Sequence, residues 1–180
     1  MIAVRRAKES DCADMGRIYV DAWQDTYPGL LPDRGLLAMS ADRHAAHWAQ
    51  VIAKQTPKDA FLVATLEGFG VIGLANAGPS RTRDLPFGAE VFTLYVDPNH
   101  QRLGAGRALL DNLFLAMRQA GQRSAVIWAL DGNPVRTFYE GLGGAEVARR
   151  TRITFGEPHE EVAFGWPDLV LGDGARAAEN

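Results

Sequence analysis

The hydrophobic rhythm of this chain changes once between residues 60 and 120, and that change restricts the fold. From Ala60 to Val96 apolar residues recur with a period of two. The stretches "AFLVATL", "VIGLANA" and "EVFTLYV" read as three successive strands, the first two joined at "EGFG" in a hairpin. After Asp97-Pro98, "NHQRLGAG" leads straight into a helix with Leu109, Leu110, Leu113, Phe114 and Met117 on one face. Gly121 ends that helix. Strands at period two followed by strand, loop and helix predict a mixed sheet with helices on its faces.

The flanking segments extend the pattern. "IAVRRA" alternates as a first strand, and Ser10 is expected to cap the helix after it. Met15, Ile18, Tyr19, Ala22 and Trp23 form the apolar stripe of that helix, which "YPGLLPD" breaks. A second helical region runs from about Leu36 to Ile52. Past the glycine-opened helix, "SAVIWAL" is apolar on both faces, as in a strand covered on both sides. "NPVRTFYEGLGG" is a short helix with Asn133 at its cap and Pro134 in its first turn. "EVARRTRITF" and "EEVAFGW" supply two last strands. The element order is β-α-α-β-β-β-α-β-α-β-β, an α/β chain. At 180 residues it makes one domain, set at residues 1–167, with a flexible tail over residues 168–180.

Composition narrows the partners. A formal charge of -3 gives no general electrostatic reason to bind nucleic acid. No stretch approaches the roughly 20 apolar residues of a membrane span, so no membrane partner is expected. The start "MIAVRRAKESD" has no signal-peptide apolar run, and the single Cys12 rules out an internal disulfide, so the cytoplasm is the expected compartment. His44 and His47 have ligand-compatible spacing but no further His or Cys cluster, so no metal is expected. Oligomeric state, a homodimer included, stays open.

The segment "DPNHQRLGAGRALL" raises the question of function. Ser, Thr, Asp or Asn caps a first turn better than glycine, so Gly104 and Gly106 suggest a ligand that comes close to the backbone. Free N–H groups at a helix start attract an anion, and Arg102 and Arg107 add full positive charges. A tight turn with solvated arginines would explain a lone GxG equally well. The phosphate loop GxxxxGK[ST] is absent, and so is the third glycine of the dinucleotide fingerprint.

Two stretches together carry more. "VFTLYVDPNHQRLGAGRALL" resembles the central motif of the GNAT superfamily of N-acetyltransferases, Gln/Arg-x-x-Gly-x-Gly/Ala, through Gln101, Arg102, Gly104 and Gly106. "NPVRTFYEGLG" is similar to the family's later signature, an Asn followed six positions on by Tyr, here Asn133 and Tyr139. The element order agrees with that fold, so the resemblance spans roughly residues 2–166. Two positions depart from the common pattern: Arg136 stands where Ala is frequent, and Gly144 where Phe is frequent.

The resemblance implies an acetyl-CoA-dependent N-acetyltransferase. Its loop amides, across Gln101, Arg102, Leu103, Gly104, Ala105, Gly106 and Arg107, would hold the pyrophosphate. The strand at Leu94, Tyr95 and Val96 would pair with the pantetheine arm where the sheet splays, and Asn133 would border the cofactor. The acceptor would be a small amine, or an amino group on a peptide or protein, attacking directly in a ternary complex. The alternative is a noncatalytic acyl-CoA-binding module of the same fold.

Such a transfer needs a neutral amine and a protonated leaving thiolate. A lysine-like amine is over three units from neutral at pH 7, about 4–5 kcal/mol. The resemblance makes Tyr139 the proton donor to the thiolate, although Val135, Phe138 and Leu142 beside it would equally fit a core tyrosine. Glu90, eleven positions before Gln101, occupies the place where several family members carry a general base; a solvated strand-end glutamate is its other reading. Trp23 and Tyr27 belong to the region that usually shapes the acceptor pocket, yet core aromatics on a helical stripe have the same spacing. Arg149, Arg150 and Arg152 read as a solvated basic face.

Overall fold

The computed structural model describes residues 1–169. Seven strands form one sheet: β1 (Ile2–Arg6), β2 (Ala60–Leu66), β3 (Gly70–Pro79), β4 (Ala89–Val96), β5 (Ala125–Leu130), β6 (Ala145–Thr154) and β7 (Glu157–Trp166). Their spatial order is β1-β2-β3-β4-β5-β7-β6. Every neighbouring pair is antiparallel except β4 and β5. The helices are α1 (Cys12–Thr26), α2 (Asp33–Leu37), α3 (Ala41–Ala53), α4 (Ala105–Gln119) and α5 (Arg136–Gly141). The mixed sheet and its element types agree with the sequence pattern.

Two apolar layers hold the helices against the sheet. Leu109, Leu110 and Leu113 of α4 are fully buried against Ile72, Val91 and their neighbours. On the opposite face Met15 and Ile18 of α1 and Trp48 of α3 pack against Phe61, Val63 and Leu74. Burying side chains of this size contributes about 1.5–3 kcal/mol each. Gly16 lets α1 and α3 meet, because a methyl there would run into the Ala41 carbonyl.

Local differences from the sequence reading have local causes. The region from Leu36 to Ile52 is two helices, because Ser40 caps α3 by accepting from the Arg43 amide at 3.3 Å. Ser10 does not cap α1. It lies in a tight turn closed by Asp11, whose carboxylate accepts from the Lys8 amide at 2.8 Å. Gly144 is required where it stands, since a Cβ would overlap Trp166, whose indole donates to the Leu142 carbonyl at 2.8 Å. Arg136 is paired on the surface with Glu140 and Glu146. The tail expected over 168–180 lies outside the described residues from 170 onward, while Leu169 is buried and its amide donates to the Arg123 carbonyl at 2.9 Å. Among the described residues no helix is long and apolar enough to cross a membrane.

Candidate active site

The site begins where two strands part. β4 and β5 pair only through Ala89–Val91 and Ala125–Ile127, although β4 continues to Val96. Leu94, Tyr95 and Val96 therefore have β3 on one side and no strand partner on the other. An extended ligand can pair with a backbone exposed in this way.

The loop after β4 is anchored by Asp97. Its amide donates to the Ile72 carbonyl at 2.9 Å, and its carboxylate accepts from the Asn99 amide at 2.9 Å and from Arg17 at 2.9 Å. Burial alone would raise the Asp97 pKa, but Arg17 and the Asn99 amide hold it below the usual carboxylate range. Arg102 and Gly104 then adopt positive φ, 61° and 92°. For arginine this is uncommon and costs about 1–2 kcal/mol; for glycine it is nearly free. Ala108 is the first residue of α4 whose amide finds a carbonyl, that of Gly104 at 3.0 Å. The amides of Ala105, Gly106 and Arg107 thus form the uncapped positive end of the helix. Gln101, Arg102, Leu103, Gly104 and Arg107 are exposed, whereas Ala105 is buried and anchors the turn.

A Cβ on Gly106 would meet Phe138 at 3.4 Å and Val96 at 3.7 Å. The Gly106 face of α4 thus looks onto Phe138 of α5 and Val96 of β4. Gly106 has no unusual backbone angle of its own.

Asn133 connects this region to α1. Its Oδ1 accepts from the Val135 amide at 3.1 Å, and its Nδ2 donates to the Tyr27 hydroxyl at 3.2 Å. The Tyr27 and Tyr95 hydroxyls lie 3.5 Å apart. Burial holds both phenols above the usual tyrosine range. Tyr139, on α5, is buried with its ring against Phe138, Phe164 and Trp166. Burial raises its pKa too, so it carries its proton at neutral pH.

A cavity of about 460 Å³ opens on the α1 side of the sheet. Trp23 and Tyr27, both singled out from sequence, line it together with Glu90 and Tyr95. Tyr139 does not line this cavity and belongs to the apolar layer under α4. The structure thus brings Trp23, Tyr27, Tyr95 and Glu90 to one wall and sets Tyr139 apart.

Glu90 is not a solvated strand end. It is buried, and its Oε2 accepts from the Arg81 amide at 2.9 Å, the Thr82 amide at 3.2 Å and the Thr82 hydroxyl at 3.2 Å. Trp128 in turn donates to the Thr82 hydroxyl at 2.9 Å. The carboxylate therefore pins the loop between β3 and β4 over the cavity. Among the described residues no donor reaches Oε1.

Several cavity residues escape the sequence reading. Arg150 and Arg152 turn out to line it, while Arg149 lies outside, paired with Glu146 and Asp131. Strand alternation separates them, and a period-two reading of "ARRTR" carried that signal. Phe155 closes the far end with φ of 52°, at the turn joining β6 and β7. It packs on Gly35, where no side chain would fit, and against Trp23. No local pattern announces such a contact. Tyr19 and His44 stack at 4.5 Å on another wall, and burial beside His47 and Arg43 holds the His44 pKa below its ordinary range.

Comparison with known proteins fits this architecture. A family model described as the acetyltransferase (GNAT) family matches residues 11–143. An uncharacterized N-acetyltransferase of Bacillus subtilis, YuaI, is 32% identical over 169 residues, covering 94% of this chain and 95% of that protein. The phosphinothricin N-acetyltransferase of Streptomyces viridochromogenes is 33% identical over 123 residues, 68% of this chain and 63% of that one. Among solved structures, yncA of Salmonella typhimurium, determined with its cofactor acetyl-CoA, superposes with a TM-score of 0.68 at 24% identity, covering 96% of each chain.

Proposed function

The chain belongs to the GNAT acetyltransferase family, and from that premise we propose that it transfers an acetyl group from acetyl-CoA to a primary amine by direct attack in a ternary complex. One observation carries the reading: β4 loses its β5 partner after Val91 at the point where α4 begins with free amides. A ligand with an extended amide-bearing arm and a diphosphate matches both features at once. Coenzyme A has those two parts, and its thioester supplies an acyl group activated by a good leaving thiolate.

In this reading the amides of Ala105, Gly106 and Arg107 take the diphosphate, with Arg102 and Arg107 adding charge. Leu94, Tyr95 and Val96 offer backbone groups to the arm. Glu90 takes the proton that the attacking amine gives up, directly or through water. Its role is supported by its position on the cavity wall and by the three donors that fix its orientation through one oxygen only. Tyr139 gives a proton to the departing sulfur. The phenol is protonated at neutral pH, as a proton donor must be. The bond formed is N–C(acyl) and the bond broken is C–S, with one net proton passing from amine to thiol. No enzyme nucleophile is required.

Calorimetric titration with coenzyme A, followed by a thiol-release assay over a panel of amines, tests the reading. Saturable binding with turnover of at least one amine supports it. Binding without turnover of any amine would leave a noncatalytic acyl-CoA-binding module, and absence of binding at millimolar coenzyme would remove both.

A further inference from the structure

The cavity wall has an uneven charge balance. Three guanidinium groups line it, from Arg81, Arg150 and Arg152, against two carboxylates, Glu90 and Glu161. Both carboxylates hold protein donors, Glu90 through Oε2 alone. Glu90 holds the Arg81–Thr82 loop. Glu161 accepts from Arg150 at 2.7 Å and faces Arg152 at a long 3.7 Å. Arg150 is further fixed over the Trp128 ring at 3.9 Å.

The other two arginines are less committed. Arg81 has no carboxylate partner among the described residues, and its guanidinium rests 3.5 Å over the Phe92 ring. The Arg152 side chain is 61% exposed, and its one ion pair is the long one to Glu161. Both line a second cavity of about 660 Å³ as well, so they stand at the junction of the two spaces. Positive charge without a close carboxylate partner thus lines the place where the two cavities meet. An oxyanion entering there finds partners, whereas a second cationic group faces three guanidinium groups.

Building on the acetyl-transfer reading, we propose that Arg81 and Arg152 form a subsite for an oxyanion on the acceptor, and that the acceptor is a small primary amine that also carries a carboxylate or similar group, an amino acid in the simplest case. A cavity of this size suits a ligand of a few hundred daltons or less. Arg81 and Arg152 orient the acceptor and take no part in the proton transfers.

The test compares free L-amino acids with their α-carboxamides, with aminomethylphosphonate and with putrescine, using kcat/KM from thiol release. Amino acids should exceed the matching amides at least tenfold, and putrescine should be among the poorest acceptors. Arg152→Gln and Arg81→Gln should bring the acid-to-amide ratio toward one, mainly through KM and with coenzyme A affinity unchanged. Arg152→Lys should restore part of the ratio, which a merely structural arginine would not do. Equal rates for acids and amides, putrescine as the best acceptor, or a ratio unmoved in both Gln variants would each overturn the proposal. Turnover of no amine at all, with coenzyme A still bound, would defeat the acetyl-transfer reading itself and this subsite with it.

Discussion

The Asn133 side chain spans the mouth left by the parting strands: it donates to the Tyr27 hydroxyl at 3.2 Å while accepting from the Val135 amide at 3.1 Å. One carboxamide thereby fixes the start of α5 and ties the end of β5 to the end of α1. The end of α1 forms a wall of the cavity, whereas α5 carries Tyr139 beneath α4. Asn133→Ala removes both bonds. We expect a loss of about 1–2 kcal/mol in urea denaturation. A variant as stable as the wild type would show that neither bond matters to the fold.

Gly106 separates binding from stability. It sits in the first turn of α4 at an ordinary backbone angle, so Gly106→Ala should leave the free protein as stable or up to about 1 kcal/mol more stable. The added methyl would come to contact distance of Phe138 and Val96, beside the open backbone of β4. Coenzyme A affinity is expected to fall at least tenfold by calorimetry. Retained affinity would move the coenzyme away from this face.

Tyr139→Phe keeps the ring packing against Phe164 and Trp166 and deletes only the hydroxyl. A fall in kcat of roughly 100-fold or more with unchanged coenzyme affinity is the expected result. A kcat within twofold of wild type would make Tyr139 a packing residue, as its burial alone would allow.

Glu90→Gln is a clean substitution because the glutamine oxygen can still accept from the Arg81 and Thr82 amides. Loop position should survive while proton acceptance is lost. We expect kcat to drop by about two orders of magnitude with the amine KM changing little. A rise in KM with kcat preserved would leave Glu90 as the tether of the loop alone.

Acid stability should depend on Asp11. Its bonds to Arg5 at 2.7 and 2.8 Å, opposed by burial and helped by the Lys8 amide, hold its carboxyl below the ordinary range. Such a group contributes stability above its unfolded value, roughly pH 3.9, and loses it as pH falls through the folded value. Asp11→Asn should therefore lower Tm at pH 7, with the gap to wild type narrowing below about pH 3. A gap as wide at pH 2.5 as at pH 7 would contradict this origin.

Much of the fold was legible because it is periodic. The change from period two to the helical stripe of Leu109, Leu110 and Leu113 located β2, β3, β4 and α4, and Gly121 marked the end of α4. Asn133 does not cap α5 and Pro134 is not in its first turn, because the Asn133 carboxamide closes a turn onto the Val135 amide and the helix starts only at Arg136. The break at Ser40 was missed because the apolar pattern runs across it, and only the cap reveals two helices. Ser10 lies inside the 3-10 turn of Glu9–Asp11 that leads into α1, so Asp11 and not Ser10 stands at the helix start.

By itself the sequence determined the sheet-and-helix order, the glycine loop and the aromatic content of α1, since each depends on residues close together along the chain. The tertiary structure decided the rest. Glu90 became a buried tether because a loop folds back onto it. Arg150 and Arg152 became cavity residues because β6 pairs at the sheet edge with one face turned inward. Phe155 joined Trp23 because a hairpin tip reaches Gly35. A pocket wall is made by residues from distant segments that meet only when the sheet closes, and nothing along the chain records where they meet.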